Sequence, residues 1–312
     1  MTDKYIKLFY GENGQKAKKK HLYLLLMRNF VDLNLRIRSN SREFLKLFRR
    51  MYSMFFISQV NRYYRKNFRK TKNVHFDIIF DKGRTESLLK GFIDLERHIK
   101  YLLWGRFTFL HASCVRYNNF NLFFLGQSKS GKSTICSAMR ERDGTVLSEE
   151  YALLETRTRK VYIFPTIIGD IRAGIKTNIQ QKYFYRLKKY EKIGLDQNVV
   201  SMKETEFKIL LDYHRKLYGI CRDLLRFDFD GSKNIFILLR NNAQDKKRRK
   251  RILIRKEPID ILPELMRNVA ANSEYYSLLM KEALGLFLES RCYILERAPL
   301  DLMVSSVCSR FK

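Results

Sequence analysis

Residues 123–134 read Phe123-Phe124-Leu125-Gly126-Gln127-Ser128-Lys129-Ser130-Gly131-Lys132-Ser133-Thr134, and their reading decides the fold. They contain G-x-x-x-x-G-K-[ST] at Gly126, Gly131, Lys132 and Ser133, after the apolar run 121–125 and before Ile135-Cys136-Ser137-Ala138-Met139. Strand, loop, helix is the context that gives this motif meaning. Glycines let the backbone curl until several N–H groups converge, and the following helix adds a partial positive charge, so the loop suits a phosphate. The motif predicts a nucleotide cradle made by Gly126, Gln127, Ser128, Lys129, Ser130, Gly131, Lys132, Ser133 and Thr134. Lys132 would neutralise the β- and γ-phosphates, and the Ser133 hydroxyl would hold Mg²⁺.

Working outward, residues 107–115, the turn Tyr117-Asn118-Asn119 and residues 120–125 read as a hairpin leading into the loop. The helix after the loop should stop at Asp143-Gly144, and a short strand, Thr145-Val146-Leu147, should end on Ser148-Glu149-Glu150. These acids would then sit at a strand's carboxyl end, where ligands bind in such sheets. They lie only 17 and 18 residues past Lys132, which leaves room for one helix and a tight return. The acid-bearing strand is therefore expected beside the loop's own strand. Residues 151–154 and 160–164 suggest two more strands around Arg157-Thr158-Arg159. Residues 234–239 read as a buried strand that ends in Arg240 and supplies no acid.

Before the loop, Val31, Leu33, Leu35 and Ile37 alternate with polar residues as in a half-buried strand. Ser39-Asn40-Ser41 offers a cap for a helix over 43–48. Residues 74–80 read as a strand and 84–103 as a helix with Leu88, Leu89, Phe92, Ile93, Ile99 and Leu102 on one side. Residues 63–72 interleave aromatics with cations, an arrangement open to a nucleic-acid surface or to a charged edge. Residues 176–215 are basic and aromatic without period and suit a lid. Beyond Pro258 the chain reads as helical, with Leu265, Val269, Leu278, Leu279, Ala283, Leu284 and Phe287 spaced for an apolar face. The expected class is α/β, with an N-terminal α/β extension over 1–105 and a nucleotide-binding domain over 106–312.

Composition bounds the rest. A 45% hydrophobic content, with 23 Phe and 18 Tyr in 312 residues, argues for a folded chain. No apolar run approaches the length of a membrane span, and the N-terminus lacks the apolar block of a signal peptide, so a cytoplasmic protein is expected. Five scattered cysteines imply neither zinc nor disulfides. The net charge of +30 attracts phosphate backbones, acidic peptides or anionic lipid, although cations spread over solvated faces explain much of it.

The stretch from His111 through Glu150 resembles the catalytic domain of the HPr kinase/phosphorylase family and its smaller relatives, whose core is shared with phosphoenolpyruvate carboxykinase. In that family a histidine opens the hairpin before the loop, and paired acids, normally Asp-Asp, follow the helix. Here His111 lies 21 residues before Lys132, and Glu149-Glu150 occupy the place of the paired acids. Asp170-Ile171-Arg172 partly matches the family's arginine-bearing segment, and weaker echoes reach 35–39 and 293–300. The smaller relatives include kinases that modify serine on ribosomally made peptides.

The resemblance implies ATP in the 126–134 loop, with Mg²⁺ held by Ser133 and Glu150. Glu149 would be general base for a serine hydroxyl, His111 would line the site, and Arg172 would either face the transferred phosphoryl group or decorate a loop. The acceptor would be a peptide or small protein with an acidic stretch. A catalytically weakened nucleotide-binding protein and a nucleic-acid-dependent ATPase stay open as alternatives, as does homo-oligomerisation.

Overall fold

The structure, a computed structural model, describes residues 4–10, 22–52, 72–80, 85–127, 130–162, 164, 233–240, 252–270 and 276–312. Ser128, Lys129 and Arg172, most of the 63–72 segment and the expected lid over 176–215 lie outside the described residues. The chain is α/β and its described part falls into two compact units, one up to Tyr101 and one from Leu102 onward.

The first unit carries strands β1 (Lys4–Tyr10), β2 (Tyr23–Phe30), β3 (Leu33–Ser39) and β4 (Lys72–Phe80), with helices α1 (Arg42–Met51) and α2 (Thr85–Leu103). The strands pair in the order β1-β4-β3-β2, with β4 parallel to both neighbours and β2 antiparallel to β3. Alternation sets the two faces. Leu33, Leu35 and Ile37 of β3 and Val74, Phe76 and Ile78 of β4 are buried, whereas Asn34, Arg36, Arg38, Asn73, His75 and Asp77 are not. Phe44 and Phe48 of α1 and Leu95 and Ile99 of α2 are also buried. The cap at α1 is the expected one: the Phe44 N–H donates to Ser41 Oγ at 3.1 Å. Gly91 of α2 is required by packing, because a Cβ there would come within 2.7 Å of the Phe80 ring.

The second unit holds two sheets. A six-stranded mixed sheet runs β12-β14-β11-β7-β6-β8, and a four-stranded antiparallel sheet runs β10-β9-β5-β13. Their strands are β5 (Phe107–His111), β6 (Ser113–Tyr117), β7 (Phe120–Leu125), β8 (Thr145–Ser148), β9 (Tyr151–Glu155), β10 (Val161–Tyr162), β11 (Lys233–Arg240), β12 (Leu253–Lys256), β13 (Val269–Ala270) and β14 (Arg291–Glu296). The helices are α3 (Lys132–Arg140), α4 (Leu262–Met266), α5 (Tyr276–Leu288) and α6 (Leu300–Arg310). Parallel β7, β11 and β14 are buried nearly throughout, as continuous apolar strands are when both faces are covered. Phe123 stacks on Phe236 at 4.8 Å, and Phe236 meets Phe287 of α5 edge-on at the same distance. Met139 of α3 contacts Cys308 of α6, sulfur to sulfur, at 3.8 Å.

Three expectations change. The run 107–115 is not one strand: the chain leaves one sheet at His111 and enters the other at Ser113, with the Ala112 N–H turned back to the Leu110 carbonyl at 2.7 Å. The acid-bearing β8 does not lie beside β7. It pairs with β6, and β11 takes the place next to the loop's strand. The tail beyond Pro258 is not purely helical, since β14 enters the sheet between β12 and β11 and Val269 is in β13. Leu278 and Leu284, read as core, are 44% and 36% exposed.

Candidate functional site

The site is built at a corner where the chain crosses between the two sheets of the second unit twice. It passes from β5 to β6 through Ala112, and from β8 to β9 through Glu149 and Glu150. Side-chain hydroxyls tie the crossings together: Ser113 Oγ donates to the Glu149 carbonyl, and Ser148 Oγ donates to the Ala112 carbonyl at 3.4 Å. His111 pairs in register with Tyr151, so it adjoins the acids, and its ring packs on Tyr151 at 5.6 Å. His111, Glu149 and Glu150 thus come together although the sequence separates them.

The glycine loop after β7 opens on the same edge. Because β6 is antiparallel to both β7 and β8, those two strands run in one direction and finish together. Gly126 follows β7 as Glu149 follows β8. Gly126 sits at φ 145°, and a Cβ there would meet Ser130 Oγ at 2.8 Å and the Leu239 carbonyl at 3.0 Å. Gly131, at φ 99°, starts α3 in the left-handed region that favours glycine. Lys132 is buried, and its Nζ donates to the Gly126 carbonyl at 2.8 Å and the Gln127 carbonyl at 3.1 Å. Gln127 is exposed, while Ser130, Ser133 and Thr134 are half-buried.

Glu149 is 1% exposed and Glu150 is half-buried. Glu149 lies against the loop's helix: burial first, and then the Glu149 charge, hold the Cys136 thiol well above its ordinary range. Cys136 is one turn beyond Lys132, on the same face of α3. The Cys136 thiol also points to the Ser148 carbonyl, at 3.8 Å. The helix that presents Lys132 therefore presents the same side to the acids.

Sequence reasoning missed Asn268. Its Oδ1 accepts the Gly126 N–H at 3.3 Å, its Nδ2 donates to the Glu264 carbonyl at 2.7 Å, and its own carbonyl accepts the His111 N–H at 2.7 Å. One buried amide joins the mouth of the loop to the histidine strand. Arg240, read only as the end of a strand without an acid, bonds Glu264 at 2.8 Å and so braces the same segment. Neither residue has a local pattern that could have marked it. A cleft of about 360 Å³ lies elsewhere, lined by Arg159, Lys160, Lys233, Asn234 and Arg291, where β11 and β14 begin. That is the sheet edge opposite the loop. The buried, hydrogen-bonded corner is the better candidate for chemistry, because the convergence of loop, acids and histidine does not depend on cavity size.

Among the described residues, no group of three or more His, Cys, Asp or Glu could hold a metal ion. Also among them, no helix is long and apolar enough to cross a membrane. Compared with known proteins, the chain matches no protein-family model, and no curated protein matches its sequence significantly.

Proposed function

We propose that the chain is an ATP-dependent phosphotransferase that moves the γ-phosphoryl group of ATP to a serine hydroxyl of a peptide or small protein. The carrying observation is that the loop bearing Lys132 and the pair Glu149-Glu150 follow β7 and β8 at one end of the six-stranded sheet, with His111 of the four-stranded sheet beside the acids. The fold reading that goes with it is the HPr kinase-like, phosphoenolpyruvate carboxykinase-type core, on the strength of the 111–150 resemblance.

The residues present fit the nucleotide. The Gly126 position cannot take a Cβ without meeting Ser130, and Lys132 is already turned toward the loop's carbonyls. Magnesium keeps several waters and needs only one or two protein carboxylates beside phosphate oxygens, so Ser133 and Glu150 suffice without a cluster of three acids. Bound, ATP and Mg²⁺ would supply the transferable phosphoryl group and much of the charge neutralisation. Lys132 would position and neutralise the phosphates. Glu149 would accept the hydroxyl proton. At 1% exposure, it meets an acceptor only if the hydroxyl enters the corner. Arg172, outside the described residues, keeps its proposed place beside the transferred group.

The burial of Glu149 favours a second reading, nucleotide capture without transfer. Two variants separate the two readings with γ-labelled ATP and serine peptides carrying an acidic stretch. Lys132→Ala abolishes labelling and weakens nucleotide binding by calorimetry, and full activity in that variant sinks the phosphate role. Glu149→Gln slows transfer while ATP still binds, and unchanged turnover removes Glu149 as base. Binding of ATP by the wild type with no labelling of any acceptor leaves capture as the function.

A further inference from the structure

The first unit presents a sheet face that the phosphate-loop reading does not use. Cross-strand register places Tyr5, His75, Arg36 and Leu26 in one row, and Lys7, Asp77, Arg38 and Leu24 in the next. A third row carries Asn34, whose Nδ2 donates to Asn73 Oδ1 at 3.1 Å. Side chains alternate across a strand, so these rows share one face, opposite the buried Leu35, Ile37, Phe76 and Ile78. The face is open: Tyr5 is 66% exposed, Leu26 51% and Leu24 48%. Tyr5 stacks on His75 at 4.4 Å with 13° between the rings, and its 66% exposure keeps ring surface available to a planar partner.

Two rows hold three cations, Lys7, Arg36 and Arg38, against one carboxylate, Asp77. Asp77 is committed to Arg38 through two bonds at 2.7 and 2.5 Å. Lys7 and Arg36 flank the stacked rings along and across the strands, with neighbouring rows about 7 Å apart from the strand rise. An aromatic platform with cations one row away matches a chain that alternates planar bases with phosphates. An acidic peptide would satisfy the cations but would bring nothing planar to Tyr5. One RNA-binding module stacks two or three unpaired bases on aromatics of a four-stranded sheet's open face.

We propose that the open face of the first unit binds single-stranded nucleic acid, with a base stacked on Tyr5 and phosphates held by Lys7 and Arg36. The inference is independent of the phosphotransferase reading.

The test is fluorescence anisotropy of the full chain with labelled oligo(dT) and oligo(U) of about 12 nucleotides. Since other cations of a +30 chain also attract phosphates, the readout is the difference between variants. Tyr5→Leu, which keeps apolar area but loses the ring, weakens binding about tenfold at every salt concentration, while Tyr5→Phe binds as the wild type does. Arg36→Ala and Lys7→Ala each flatten the dependence of log affinity on log salt by about 0.7. Lys132→Ala binds the oligonucleotide unchanged, so failure of this proposal and failure of the nucleotide reading are separable. Equal binding by the wild type and Tyr5→Leu overturns the proposal. So does the absence of wild-type binding at about 0.1 M salt, or displacement by polyglutamate that is indifferent to Tyr5.

Discussion

Strand β3 of the first unit alternates strictly, with Leu33, Leu35 and Ile37 buried and Asn34, Arg36 and Arg38 outward, whereas β7 and β11 of the second unit are buried along almost their whole length. The first pattern belongs to a sheet covered on one face, the second to a sheet covered on both. One arrangement leaves a surface that can be rewritten without touching the core. The other leaves only the strand ends for chemistry, so Gly126, Glu149 and Glu150 are found where β7 and β8 run out.

Substitutions should expose that contrast first through stability. Phe123→Ala removes a ring stacked between strands and should cost about 3–5 kcal/mol in urea unfolding. Leu26→Ala, on the open face, should stay within about 0.5 kcal/mol; comparable losses at the two sites would erase the distinction. Asn268→Leu should cost about 1–3 kcal/mol, because it leaves the buried Gly126 N–H without its acceptor. It should also loosen nucleotide binding, which calorimetry would register.

Within the first unit, Ser41→Ala should cost about 1 kcal/mol through the lost cap. Asp77→Asn should cost less than about 1 kcal/mol, since the Arg38 side chain it pairs with is 42% exposed. Both are read from unfolding midpoints. The smallest effect is expected at Cys292, at the start of β14. Burial pushes its thiol up from 9.0 to about 12. Alkylation at mildly alkaline pH should therefore leave it untouched in the native protein, while the unfolded chain, where the thiolate forms near 9, should be labelled. Rapid native labelling would show that the buried strand opens.

Much of this was legible because the signals were local. The glycine turn between β7 and α3, the stop at Asp143-Gly144, the buried strand before Arg240 and the Ser41 cap each rest on neighbours within a few residues. The sheet crossing at Ala112 was not legible, since residues 107–115 have uniform strand character and nothing in them says that the two halves pair with different partners. The place of β8 was misread for a related reason. The short return from Lys132 to Glu149 limits how far the chain travels, but β6 had already taken the position beside β7 as its hairpin partner. β14 hid in a stretch of helical periodicity, and its pairing with β11 is decided by residues some fifty positions earlier. Asn268 carries no motif, and only the folded chain shows what its amide holds.

The Asn268 link has a consequence for the order of events during synthesis. Gly126 and His111 leave the ribosome long before the residue that ties them together, and β14, which sits inside the same sheet, follows later still. A nascent chain therefore carries the 126–131 loop unbraced until Asn268 has been made and has folded back onto Gly126 and His111. The braced corner, and any activity that depends on it, waits for a chain that extends past Asn268.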